Sequence, residues 1–394
     1  MNFADSEEMS AAFLEKGVVL TEDRADADIL ILNTCTVRQH AEDKALSYIG
    51  RLKPWKKANP ERVLIVAGCA AERLKKTLKR RFPHVDLVVG AKSMDEFPQV
   101  IESFFRSRKT SPWGQVLAIK AQRPDPMGYF EWFHESEESF GQGLAREAGE
   151  PLVLGEEGKT AFVTIMRGCN YSCSYCIVPS VRGREKYRDP KSILSEVREK
   201  AAGGASKVML LGQTVNSYWF RGPGEKIADF AYLVTAVNLI PEVSEIRFMS
   251  PHPHYMSDKL IRALSKSEKV SPQIHLPVQS GSNRVLTAMK RNYTREDYLE
   301  IVEKLGIAIP NLRLSTDFIV GFPGETDQDF ELTLSLASML PLGMAYCFKY
   351  SVRDGTEAAR QKDDVPRPLK ESRLSILLKT IETITAKPKE ALLT

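Results

Sequence analysis

The chain has 394 residues, 43% of them hydrophobic and 27% charged, with a formal net charge of +4. This is ordinary globular composition, which excludes a disordered or fibrous chain and suggests two or three domains at roughly 150 residues each. The weak positive balance permits a nucleic-acid partner through a local patch, and the longest apolar runs fall far short of the roughly 18 residues of a membrane span. No signal peptide opens the chain, so the expected compartment is the cytoplasm.

Residues 1–106 read as alternating helix and strand. Asp5 or Ser6 can cap a first helix running to Lys16, with Met9, Ala12 and Phe13 on one face. Three apolar runs ending at turn residues, 27–33, 62–68 and 85–90, read as buried strands, with helices over about 38–51 and 72–81 between them. Buried strands alternating with helices imply a doubly wound, Rossmann-like parallel sheet, whose ligands sit at the carboxyl ends of the strands. Cys35 follows the first run and Cys69 the second. If those strands are neighbours, both thiols lie at one rim; the alternative is two unrelated small buried residues. The domain opens on a helix where such a fold normally opens on a strand. An absent first strand predicts a slot in the sheet and an incomplete N-terminus.

Residues 107–158 break the pattern and read as a linker with surface insertions, although Tyr129, Phe130, Trp132 and Phe133 must pack somewhere. From 159 to 394 strands and helices alternate again. Strand-like runs cover 161–166, 207–211, 245–248, 273–276, 312–320 and 344–350, with helices such as 190–202, 295–304 and 372–385 among them. Six β/α repeats suit a partial (β/α)6 barrel rather than a closed eightfold one.

The cysteines decide the chemistry. Six in 394 residues are too few for a disulfide framework, yet Cys169, Cys173 and Cys176 fall within eight residues. The pattern is Cys-x3-Cys-x2-Cys, directly after a strand and a glycine. Thiolates at that spacing wrap one face of a cubane 4Fe-4S cluster and leave one iron free for a ligand. A structural zinc needs four ligands, and no fourth Cys or His is near in sequence.

This pattern resembles the radical S-adenosylmethionine (SAM) superfamily, whose members chelate the open iron with SAM and share the partial barrel. The resemblance implies cofactor-binding roles for Tyr175, before the third cysteine, for Gln213 in Leu211-Gly212-Gln213, and for Asp317 and Gly321 near the end of the fifth barrel strand. The segments 176–185, 211–218, 275–281, 289–295 and 315–325 are further similar to the MiaB-type methylthiotransferases, and Cys35 and Cys69 match that family's other domain. The differences from relatives that modify a ribosomal protein, around Gln213 and Arg182, favour the tRNA branch.

That family implies conversion of N6-isopentenyladenosine at tRNA position 37 to its 2-methylthio derivative. A cluster on Cys169, Cys173 and Cys176 would cleave SAM to a 5′-deoxyadenosyl radical, and a second 4Fe-4S cluster, on Cys35, Cys69 and a third cysteine, would carry the sulfur. It also implies an electron donor such as flavodoxin or ferredoxin and a sulfur donor. Two departures follow. The chain begins Met1-Asn2, inside the Cys-Gln-Met-Asn stretch that carries the family's first ligand, so the third ligand is expected to be missing. It also stops at Thr394 without the family's C-terminal β-barrel RNA-binding module. The alternatives are a methylthiotransferase acting on a ribosomal protein side chain, or an iron–sulfur tRNA-binding protein lacking sulfur insertion.

Arg182, Arg184, Lys186 and Arg188 alternate just after the cysteine loop, a place suited to a phosphate backbone; the competing reading is internal salt bridges. Lys290 and Arg291 are intermediate, and the basic run 75–81 reads as a helix end favouring the macrodipole. Tyr187 and Tyr218 could stack on a flipped base or pack in the core. His252 and His254, flanked by prolines, read as a shaped loop rather than metal ligands, and Cys347 as a core residue.

Overall fold

The computed structural model describes residues 1–15, 17–21, 23–37, 39–108, 116–121 and 160–386. Tyr129, Phe130, Trp132, Phe133 and most of the segment read as a linker lie outside the described residues. The chain divides into two compact units, Met1–Asp125 with Ile177–Arg184, and Pro126–Cys176 with Glu185–Thr394.

The first unit holds a five-stranded parallel sheet of β1 (Val19–Leu20), β2 (Ile29–Thr34), β3 (Val63–Gly68), β4 (Leu87–Gly90) and β5 (Val116–Ala121), in the order β1-β5-β2-β3-β4. Alternate residues of β2 and β3 serve opposite faces. Ile29, Ile31, Val63 and Ile65 meet Met9, Phe13, Phe97, Ile101 and Phe105 from the helices Asn2–Leu14 and Phe97–Ser107. Leu30, Leu32, Leu64 and Val66 meet Ile49, Leu52, Trp55 and Leu78 on the other side. Both faces are therefore covered, which is why the strands read as unbroken apolar runs.

Three expectations change here. The slot beside β2 is filled: β5, from the segment read as linker, pairs with both β1 and β2. The first helix starts at Asn2 with Met1 as its N-cap, so Asp5 and Ser6 are buried inside it rather than capping it. Residues 177–184, expected within the barrel, belong to the first unit. The short helix Val178–Arg182 and the residue before it give an i, i+4 apolar pair, Ile177 and Val181, packed with Cys69 and Ala91.

The second unit carries six parallel strands: β6 (Thr160–Thr164), β9 (Lys207–Leu211), β12 (Glu245–Phe248), β13 (Gln273–His275), β14 (Arg313–Val320) and β15 (Leu342–Lys349). They pair as β12-β9-β6 and β13-β14-β15. A bridge from Ile246 to Val270, with Ile246 N–H on Lys269 O at 2.7 Å, joins the two sheets into one open run in chain order. Two-residue ribbons, β7 (Met166–Arg167) with β8 (Lys186–Tyr187) and β10 (Trp219–Phe220) with β11 (Ala228–Asp229), decorate the loops.

Helices return the chain between strands, and their starts are written in the sequence. Ser257, Thr294 and Thr326 accept from backbone N–H groups at three N-termini, the last two in capping boxes with Asp297 and Asp329. This is the partial (β/α)6 barrel that the six apolar runs predict, and its loops at the strand carboxyl ends hold the cysteines.

Candidate active site

β6 ends at Thr164, and after the ribbon strand β7 the chain turns at Gly168 (φ 80) into Cys169. Gly168 N–H donates to Gln213 Oε1 at 2.5 Å, which ties this turn to the end of β9. The loop is fixed at its middle as well: Ser174 N–H donates to Met289 O, Ser174 Oγ to Ala288 O, and Ala358 N–H to Ser174 O, at 2.7–3.0 Å. The Cys169, Cys173 and Cys176 thiols are not in disulfides and are half-buried.

Two of these sulfurs, those of Cys169 and Cys173, have polar neighbours. Cys169 Sγ lies 3.3 Å from Thr214 Oγ1 and accepts from Tyr171 N–H at 3.4 Å. Burial raises the Cys169 thiol above its usual range, opposed by these two contacts, so binding a metal there releases a proton. Cys173 Sγ accepts from Arg291 Nη1 at 3.4 Å. Among the described residues no three Cys, His or carboxylate side chains converge to hold a single ion. In donor chemistry, three soft thiols on one irregular, anchored loop fit an iron–sulfur cluster.

Aromatic rings wall this loop. Tyr171 stacks on His252 with centroids 4.0 Å apart, and Asn216 holds the His252 backbone by two bonds of 2.8 and 2.9 Å. Burial, then the Arg291 charge, pushes His252 down to about 2, so its ring is neutral. Tyr175 packs against Val285, Met289, Phe322 and Tyr350. On β13 and β14, His275 Nδ1 lies 3.0 Å from Ser315 Oγ, and its Nε2 3.6 Å from Asp317 Oδ1.

In the first unit β2 and β3 are neighbours in register, Thr34 opposite Gly68, so Cys35 and Cys69 leave the same edge. Gly68 is required there. At φ 97 a Cβ would stand 2.4 Å from Thr34 O, and this tight turn starts the helix Cys69–Arg81. Arg182 Nε donates to Cys69 Sγ at 3.2 Å while its Nη2 pairs with the fully buried Asp5 at 2.8 Å. Burial raises the Cys69 thiol, and Arg182 opposes that. Cys35 and Cys69 thus stand as two thiols at one edge of this sheet.

Residues 163–337 match the Radical SAM superfamily, and residues 1–90 match the uncharacterized protein family UPF0004. The tRNA-2-methylthio-N(6)-dimethylallyladenosine synthase of Clostridium botulinum (strain Okra / Type B1) is 40% identical over 394 residues, 99% of this chain and 81% of that protein. The synthase of the same name from Caldicellulosiruptor saccharolyticus is 41% identical over 398 residues, 100% of this chain and 78% of that protein. The chain belongs to this family of radical SAM methylthiotransferases. Its fold is also that of the radical SAM methyltransferase TsrM from Kitasatospora setae, with a TM-score of 0.54, 14% identity, and 86% and 66% of the two chains covered. The cobalamin-dependent radical enzyme OxsB aligns with a TM-score of 0.50 at 11% identity, over 95% of this chain and 49% of that one.

In this methylthiotransferase the basic residues after the cysteine loop do not act as a set. Arg182 is turned inward with its side chain 6% exposed, so it cannot meet a phosphate. Arg188 spends Nη1 on Thr164 O and Glu196. Arg184 and Lys186 are exposed. Tyr218 is buried, its hydroxyl donating to Arg188 O at 2.7 Å, and Tyr187 meets it edge-on; the core reading holds for Tyr218. His252 accepts from His254 N–H within the turn Pro253–Tyr255, as a shaped loop does. Cys347 is buried on β15, its thiol pushed up to about 12 by burial.

Gly321 sits in a turn at φ 71, where a Cβ would stand 2.4 Å from the Lys370 side chain, and its N–H donates to Glu325. Sequence reasoning missed the pairing of Asp5 with Arg182 and the inward role of Arg291. The signal for Asp5 was present, a carboxylate on the buried face of an amphipathic helix; Arg291 carried none that separates it from Lys290.

Proposed function

We propose that this chain transfers a methylthio group to C2 of N6-isopentenyladenosine at tRNA position 37 by radical SAM chemistry. The observation that carries the reading is the 40% identity over 99% of the chain to proteins named for that product. Cys169, Cys173 and Cys176 would hold the 4Fe-4S cluster, with SAM as its ligand. When bound, the pair supplies a low-potential electron and a carbon radical able to attack an aromatic C–H, beyond the reach of acid–base side chains.

The chain's own residues position this chemistry. The Gly168–Gln213 and Ser174–Met289 bonds keep the thiol spacing fixed before any ligand arrives. Tyr175, Gln213, Asp317 and Gly321 are the residues we place around SAM, Gly321 through its carbonyl because its N–H is taken. Arg184 and Lys186 are exposed for a tRNA phosphate. A flavodoxin- or ferredoxin-type electron donor and a separate sulfur donor complete the reaction, in the cytoplasm. No helix among the described residues is long and apolar enough to cross a membrane.

The test is anaerobic reconstitution, then incubation with SAM, reductant and tRNA bearing isopentenyladenosine, with the nucleosides read by mass. A 2-methylthio product supports the reading. A second reading rests on the two-thiol edge of the first unit: SAM cleavage with no thiolated nucleoside would mark a tRNA-binding iron–sulfur protein without sulfur insertion. Product on a ribosomal protein instead of tRNA would move the activity to that branch.

A further inference from the structure

Arg291 lies in the turn between the helices Asn283–Ala288 and Arg295–Ala308. Its neighbour Lys290 reaches solvent and pairs with Glu357 at 2.6 Å. Arg291 does the opposite and is 8% exposed. Its Nε donates to Tyr293 Oη at 2.8 Å and its Nη2 to Pro277 O at 3.1 Å, while Nη1 stands 3.4 Å from both Tyr175 Oη and Cys173 Sγ.

These partners are two phenols, a carbonyl and a thiol, and Arg291 forms no ion pair with a carboxylate among the described residues. Two other buried arginines, Arg182 and Arg373, are built differently. Arg182 holds Asp5, and Arg373 holds Glu325 at 2.9 Å and Asp327 at 2.6 Å. A guanidinium cannot shed its charge, and a buried charge is costly unless an anion accompanies it. The Tyr293 ring, 5.1 Å from the guanidinium carbon, softens that cost without neutralising the charge.

We propose that Arg291 is the counter-cation of the Cys169/Cys173/Cys176 centre: the anion it lacks is the thiolate-ligated cluster, and its Nη1–Cys173 bond orients that thiolate and makes the cluster easier to reduce. The inference rests on the reading that these cysteines hold iron. A fixed positive charge and an N–H···S bond both favour the reduced state, which carries one more negative charge. Arg291 is thus a positioning residue, acting through Cys173.

The experiment compares the parent with Arg291→Lys and Arg291→Gln after anaerobic iron and sulfide reconstitution. It reads iron per chain, the midpoint potential of the cluster, and urea unfolding of the iron-free proteins. The potential is expected to shift negative in Arg291→Gln, with Arg291→Lys between it and the parent. Iron-free Arg291→Gln is expected to unfold at the same urea concentration as the parent or a higher one, because without the cluster the charge has no anion. An iron-loaded Arg291→Gln with an unshifted potential overturns the inference and leaves the iron reading intact. If Arg291→Gln takes up no iron, the iron-free proteins decide: equal or greater stability supports the inference, and a lower unfolding midpoint overturns it by making Arg291 an ordinary structural contact. A parent that takes up no iron overturns both.

Discussion

Arg182 and Arg291 are both buried and both touch a cysteine sulfur, and they are balanced in opposite ways. In the sheet unit Arg182 reaches Cys69 at 3.2 Å but is neutralised by Asp5, itself fully buried. In the barrel unit Arg291 reaches Cys173 at 3.4 Å and forms no ion pair with a carboxylate among the described residues. The first pair is electrically complete within the protein. The second becomes complete only with a bound anion. Exposure differs in the same direction, since Cys69 is 3% exposed whereas the three barrel thiols are half-buried on a loop. A site whose charges balance without a ligand is held by folding, and one whose charges do not is poised for a cofactor.

The largest test of this contrast removes the barrel thiols. Cys169→Ala/Cys173→Ala/Cys176→Ala is expected to lose about four irons per chain and all SAM cleavage. Iron surviving that change would sit on Cys35 and Cys69, and would show that the sheet unit also awaits a cofactor. Next comes the closed pair. Arg182→Gln strands Asp5 as a buried charge and should cost about 3–5 kcal/mol in denaturant unfolding, most of it recovered in Asp5→Asn/Arg182→Gln. A cost below about 1 kcal/mol would put the pair in contact with water and erase the difference between the two sites.

A smaller effect is tied to pH. The buried His252 ring is held neutral, with its folded-state value near 2 against 6.5 for the ordinary residue. The unfolded chain therefore binds the extra proton between those values, so its stabilising contribution is complete above pH 6.5 and falls with acid. The slope is about 1.4 kcal/mol per pH unit, or about 2 kcal/mol between pH 6.5 and 5. In the iron-free protein His252→Phe should flatten that slope in urea midpoints, and an unchanged slope would place His252 in water. The smallest effect belongs to Lys290→Ala, which removes an exposed ion pair with Glu357 and should change stability by less than about 1 kcal/mol. It should also leave the cluster potential where it was, in contrast to its neighbour Arg291.

Much of this was legible in the chain. The strand runs 207–211 and 245–248 stand where the sequence pattern places them: Val208–Leu211 is apolar and buried on both faces, whereas 245–248 alternates buried Ile246 and Phe248 with half-buried Glu245 and Arg247. The register of β2 with β3 brings Cys35 and Cys69 to one edge because each thiol follows its strand by a single residue. Less legible was β5, whose six residues lie between charged and proline-rich stretches and pair with strands about ninety residues earlier. Pairing at that distance leaves no local signature. Residues 177–184 were misassigned for the same reason, since continuity with Cys176 argues for the barrel while Ile177 and Val181 find their apolar partners on Cys69 and Ala91.

The sequence by itself determined the fold class and the three-thiol loop, because periodicity and residue spacing are short-range properties of a chain. Only the tertiary structure decided which basic residues face water. Lys290 and Arg291 are adjacent and equally charged, as are Arg182 and Arg184 two residues apart. Direction and counter-ion separate them, and both are set by elements remote in sequence: Asp5 for Arg182, and Pro277, Cys173 and Tyr175 for Arg291. Charge is written locally, whereas its burial and its partner belong to the packed whole.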